Sequence, residues 1–392
     1  MTGFMTRPAN LPYFTDALRR TRLFDILDSQ FNKPAFLITG QAAQGKTTLA
    51  ASYLAEKNMP VIWIHLTEDD NDSEKLFDRI VAAFCRMETD AGILEPLFTA
   101  STILGTDQGL QRLVKALTTL FERISDPVAL VLDDLEQLDE AGPGFDLVFR
   151  MLSIFNPFLK RFVLSRIIPE QHLAILKMSG QICMIENQDL CFSLEETRQL
   201  FSNQPELDQA RLDRLHEITC GWIGGLTLVR ESLSQAGHLP DDLPGQMSED
   251  IFAYFSQEIY DRLPDDIKRF LMITAKLDII DIHVVQTMFD RQTALSILTR
   301  LEKRNLFIQR VYDSSGDYQY RYHLLFRKFL TRQLNRTYPF EKIQTIYRTF
   351  ARALWKNRCH EAALKCCDVA RDVDQMVRIL RIKGPDYLIR GN

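Results

Sequence analysis

The stretch AFLITGQAAQGKTTLAASYLAE, residues 35–56, constrains the fold more than any other. A short apolar run, AFLIT, enters a loop bounded by Gly40 and Gly45, and from Thr47 onward apolar positions recur at helical spacing. Strand, loop and helix in that order, with the spacing G-x-x-x-x-G-K-[ST], make a phosphate cradle. The glycines let backbone close on phosphate oxygens, while amide hydrogens and the helix N-terminus supply partial positive charge. In such a cradle Lys46 reaches the β and γ phosphates and the Thr47 hydroxyl holds Mg2+, with Gln44 and Thr48 completing the contacts made at Gly40 and Gly45.

A cradle of this kind needs a sheet behind it. VIWIHL (61–66), PVALVLDDL (127–135), RFVLSR (161–166) and ICMIEN (182–187) read as strands, separated by helical stretches at EKLFDRIVAAFC, GLQRLVKALTTLFERI and DLVFRMLSIF. The alternation predicts a parallel sheet covered by helices, and the unbroken apolar VALVL marks a buried central strand. That strand ends in Asp133 and Asp134: Asp133 is placed to hold Mg2+ beside Thr47, and Asp134 to orient water for attack on the γ phosphate. Arg166, ending RFVLSR, is placed to sense the γ phosphate or to stabilise charge developing in transfer, with Ser165 a weaker polar contact. Glu136 and Asp139 read as ordinary surface acids.

From about residue 193 the pattern turns helical. FSLEETRQLF offers a capping box between Ser193 and Glu196, a second helix spans roughly residues 206–219, and LTLVRESLSQ reads as a third after a glycine break. GHLPDDLPGQ, residues 237–246, reads as a turn-rich linker. Four helical segments follow, then LFIQRVYD, SSGD and YQYRYHLL as strand, turn and strand, the order of a winged helix. Residues 343–380 are helical again without a convincing repeat.

The formal charge of -5 gives no broad attraction to nucleic acid. No apolar run of about 18 residues and no secretory signal core is present, so the expected location is cytoplasmic, away from membranes. The seven cysteines, Cys85, Cys183, Cys191, Cys220, Cys359, Cys366 and Cys367, lack a zinc-like pair of pairs and fit a reducing compartment.

GQAAQGKTT, VLDDLEQLD and FVLSR, followed by CGWIGGLTL, LPDDIKRFLMITAKLD, LEKRNLFI and YRYHLLFRKFL, resemble in order and spacing the signal-transduction ATPases with numerous domains (STAND), specifically the regulators similar to the maltose-operon activator. The resemblance covers nearly the whole chain. It implies an α/β P-loop NTPase sheet domain (1–191), a helical lid (192–240), a winged-helix domain (241–338) and a C-terminal helical segment (339–392) leading toward a sensor. It further implies ADP clasped at rest and exchanged for ATP on activation. Gly221, Trp222, Gly225 and Leu226 match the lid segment that approaches the nucleotide, Arg20 is the nearest match to an arginine that approaches the base, and His323 matches a winged-helix histidine that reaches the β phosphate. Leu324 stands where the family often has a second histidine. The family usually continues into a helical-repeat sensor and a DNA-binding helix-turn-helix. Neither is within these residues, so an unknown inducer would act through the missing sensor, and this portion is not expected to bind DNA directly.

The function expected is therefore a nucleotide switch of a bacterial transcriptional regulator, with slow ATP hydrolysis as reset and self-association on activation. The alternative is a DNA-binding or remodelling ATPase that uses its winged helix, with Arg310 and Arg321 near the wing but Asp313 and Asp317 beside them. A metabolic phosphotransferase lacks any acceptor-binding constellation.

Overall fold

Long apolar runs become strands here because both of their faces are covered. β1 (Ala35–Thr39), β2 (Val61–His65), β3 (Val128–Asp133), β4 (Leu159–Ser165) and β5 (Ile182–Ile185) pair in parallel, in the order β2-β3-β4-β1-β5. Every residue of β1, β3 and β4 is buried, as expected for strands sandwiched between helices. One face packs on helices Ser73–Met87, Asp107–Glu122, Pro143–Leu152 and Glu170–Met178, through Phe77, Leu117, Phe145 and Leu173. The other packs on helices Thr21–Ser29 and Lys46–Glu56, where Phe36 stacks on Phe162 at 4.5 Å. The computed structural model describes residues 11–12, 14, 17–87, 107–204, 207–236, 243–312 and 318–390.

The sheet order matters for the chemistry. β4 lies between β1 and β3, with Ser165 in register with Thr39, so its end falls between the glycine loop and the acidic end of β3. On the other side of β3, His65 of β2 is in register with Asp133. At the opposite edge of β4, Arg161 is buried and donates to the carbonyls of Met151, Ile154 and Pro34; burial pushes its pKa down to about 10.

Contacts divide the chain into two compact units: residues 1–203 with 222–224, and residues 204–221 with 225–392. The second unit begins with helix Gln209–Thr219 and continues through helices Asp265–Thr274, Ile282–Val285 and Arg291–Lys303 to an antiparallel hairpin, β6 (Ile308–Tyr312) and β7 (Tyr318–Tyr322). Phe255, Phe307, Phe326 and Phe329 form its aromatic centre. Helices Leu324–Thr337, Phe340–Lys356, His360–Ala370 and Val373–Arg390 complete it. Among the described residues no helix is long and apolar enough to cross a membrane.

Several local expectations change. Of the expected linker at 237–246, the described part, from Leu243 onward, is helical. The return strand stops at Tyr322, since His323 caps the next helix. The helix expected after a glycine break starts earlier, at Ile223, and carries Gly224 and Gly225 within its first turn. The expected turn SSGD, with Asp313 and Asp317, lies outside the described residues. Arg310 is exposed, paired with Glu302 at 2.5 Å, and lies over the Tyr318 ring.

Candidate nucleotide site

Gly45 sits at φ 77° as the residue before helix Lys46–Glu56, a left-handed conformation that suits glycine. A β-carbon there would also lie 2.9 Å from Ile223 Cδ1. Lys46 Nζ points back into the loop and donates to the carbonyls of Gly40 (2.9 Å) and Gln41 (3.1 Å). Burial pushes its pKa down to about 8, with nearby Glu136 pulling the other way. Thr47 Oγ1 donates to Asp133 Oδ2 at 3.0 Å, so the helix start and the end of β3 bring two hard oxygen donors together. Asp133 is buried; desolvation and neighbouring Asp134 raise its pKa, opposed by the Thr47 hydroxyl. Asp134 is half-exposed at φ 63° and its N–H donates to Asp133 Oδ1 at 3.0 Å.

This donor set fits a nucleotide phosphate with Mg2+. A glycine turn at a helix N-terminus, a buried ammonium and a hydroxyl–carboxylate pair are what a phosphate chain and a hard divalent ion require. Residues 17–149 match the AAA ATPase domain family, and residues 256–342 match the MalT winged helix domain family. The chain therefore carries an AAA ATPase domain followed by a MalT-type winged helix domain. It is similar to the HTH-type transcriptional regulator MalT of Klebsiella pneumoniae (strain 342), 28% identical over 338 residues, 83% of this chain and 36% of that protein. The MalT of Vibrio cholerae serotype O1 is 25% identical over 393 residues, 97% of this chain and 42% of that protein. The chain thus spans 36% to 42% of the length of these curated relatives. The Walker-type ATPase paby2304 of Pyrococcus abyssi shares the fold, with a TM-score of 0.55 at 16% identity over 80% of this chain and 96% of that one.

In this chain the loop is held by residues the motif does not contain. Asn187 Oδ1 accepts the Gln41 N–H at 2.9 Å. The Gln44 side chain is turned inward, contacting Gln41 at 3.3 Å and Cys191 Sγ at 3.2 Å, so only its backbone remains for a phosphate. Trp222 is fully buried and its Nε1–H donates to the Ala42 carbonyl at 3.1 Å, which makes it a brace for the loop. Thr48 is half-buried on the first helical turn. Gly221, at φ 71°, and Gly225 are counted with the helical unit, as is buried Leu226.

One expectation is corrected, and two further residues are engaged within the protein. Glu136 is no ordinary surface acid: it accepts the Arg166 backbone N–H at 2.9 Å and pairs with the Arg166 guanidinium at 2.9 Å. Any phosphate contact by Arg166 must therefore compete with a carboxylate. Arg20 is buried and committed to the protein itself, paired with Glu196 at 2.8 Å, donating to the carbonyls of Leu190 and Cys191, and lying over Phe192. His323 has both ring nitrogens engaged: Nδ1 accepts from the Leu325 N–H at 3.3 Å, so Nε2 carries the proton and donates to the Thr219 carbonyl at 2.8 Å. A phosphate would have to take that proton donor from Thr219. His65, absent from the motif reading, stands beside both Asp133 and Asp134. The register of two strands, which the sequence leaves open, is what puts it there.

Proposed function

We propose that the chain is an adenine-nucleotide switch of a signal-responsive transcriptional regulator, holding ADP at rest, exchanging it for ATP, and resetting by slow hydrolysis. The observation that carries this reading is the Thr47–Asp133 contact beside the Lys46-filled glycine loop. Lys46 would release its two loop carbonyls and donate to phosphate oxygens, while Thr47 and Asp133 would hold Mg2+. The ion would supply charge neutralisation between the β and γ phosphates. Asp134, half-exposed next to Asp133, would orient the attacking water. The Arg166–Glu136 pair supports slow rather than fast turnover, because a guanidinium tied to a carboxylate is a weaker stabiliser of developing charge.

Nucleotide retained through gentle purification tests the reading. ADP should accompany the intact chain and be lost from Lys46→Ala, while Asp133→Asn should retain nucleotide yet lose Mg2+-dependent hydrolysis. Equal retention by Lys46→Ala would remove the loop from the site.

A further inference from the structure

We propose that Glu136 is a specificity-determining positioning residue: its carboxylate holds the Arg166 guanidinium back from a γ phosphate, so that the site favours ADP over ATP. This rests on the nucleotide-switch reading above and adds the group that sets the choice of nucleotide. The fold delivers the acid to that point. Asp134, in the left-handed conformation at φ 63°, turns the chain out of β3 into a one-turn helix, Leu135–Gln137, which buried Leu135 anchors. β4 pairs directly with β3, so that turn comes to lie beside Arg166, the residue after β4. There Glu136 uses both of its oxygens on one residue: Oε1 lies 2.9 Å from Arg166 Nε, and Oε2 accepts the Arg166 N–H at 2.9 Å.

The same carboxylate acts on the glycine loop. Burial pushes the Lys46 pKa down to about 8, and Glu136 opposes that fall more strongly than Asp133 or Asp134 does. An anion held by a guanidinium within the field of the loop ammonium has the charge surroundings that a terminal phosphate needs. With ADP bound, Arg166 has no γ phosphate to meet and the pair stays closed. With ATP bound, Arg166 reaches the γ phosphate only by leaving Glu136, whose carboxylate then faces added negative charge without its partner. The penalty falls chiefly on ATP, which suits a resting state that holds ADP.

The test compares dissociation constants of the full chain for ADP and for a non-hydrolysable ATP analogue, both with Mg2+, by calorimetric titration. Glu136→Gln keeps the shape of the side chain and an oxygen for the Arg166 N–H, so it removes the charge pairing and leaves the turn. It should shift the ratio of the two constants toward the ATP analogue by about three- to tenfold, as for loss of a partly exposed ion pair. Glu136→Asp, which keeps the charge but shortens its reach, should give a smaller shift in the same direction. In an Arg166→Ala background, Glu136→Gln should leave the ratio within about twofold, because no guanidinium remains to be released. An unchanged ratio in Glu136→Gln and Glu136→Asp, or an equal shift in the Arg166→Ala background, would overturn the role of Glu136 and leave the nucleotide site standing. Binding of neither nucleotide by the unsubstituted chain would sink the switch reading itself, and this role with it.

Discussion

A β-carbon on Gly224 would sit 2.7 Å from Ala43 Cβ and 2.7 Å from the Trp222 ring, both of which belong to the packed wall of the phosphate loop. Gly224→Ala should therefore destabilise the nucleotide unit by about 1–3 kcal/mol, the usual cost of overpacking. It should also weaken nucleotide binding, because the loop and not a distant core must shift; thermal unfolding and nucleotide titration check the two effects. At this scale the sequence was legible where one short segment makes the whole feature. Lys46 and Thr47 could be read because strand, loop and helix are contiguous. Asn187 and Glu136 could not, because each meets its partner across 146 and 30 residues of chain, and an isolated Asn or Glu carries no sign of which backbone N–H it will accept.

Helix termini are where local sequence and long-range contact meet. The capping box read at Ser193 and Glu196 is present, with Ser193 N donating to Glu196 at 2.8 Å and Glu196 N to Ser193 Oγ at 3.1 Å. What the pattern could not show is that the same carboxylate also pairs with Arg20 in the interior. Burial alone would raise the Glu196 carboxyl, but the Arg20 guanidinium and the Ser193 N–H hold it below the usual carboxylate range. Glu196→Ala should cost about 3–5 kcal/mol in chemical denaturation, since it strands a buried guanidinium. Glu196→Gln, which keeps the cap, should cost less.

His323 gives the corresponding device for helix Leu324–Thr337. Burial pushes its pKa down to about 4, against a smaller opposing pull from the Thr219 carbonyl; the Phe307 ring packs on its other side. A folded pKa below the usual 6.5 means that the fold favours the neutral ring. The stability this contributes is complete above pH 6.5 and is lost as pH falls toward 4, by at most about 3 kcal/mol. His323→Asn, which retains capping capacity, should flatten that acid limb in melts recorded from pH 7.5 to 4, at a cost near neutrality of about 1 kcal/mol. An acid limb unchanged in the variant would assign it to other groups.

Over the whole molecule, the sheet was legible because its strands are so apolar that few alternatives exist. The two-unit organisation was harder to read, because turn-forming composition does not show where contacts cease. If the nucleotide binds the unit that contains Lys46, saturating ATP or ADP should raise the unfolding free energy of that unit alone, by about 2.7 kcal/mol at a hundredfold excess over Kd. Calorimetry should then show one transition that moves with nucleotide and one that does not. Two transitions moving together would mean that the units unfold as one.

Trp222, Ile223 and Gly224 are counted with the nucleotide unit, although the chain on both sides of them is counted with the other. The ATP-binding half is therefore not a segment of the gene. A fragment ending at Asn203 would carry Lys46, Thr47, Asp133 and Asp134 yet leave the Ala42 carbonyl without its indole. A unit cut at that point would need a substitute for the indole to hold the loop.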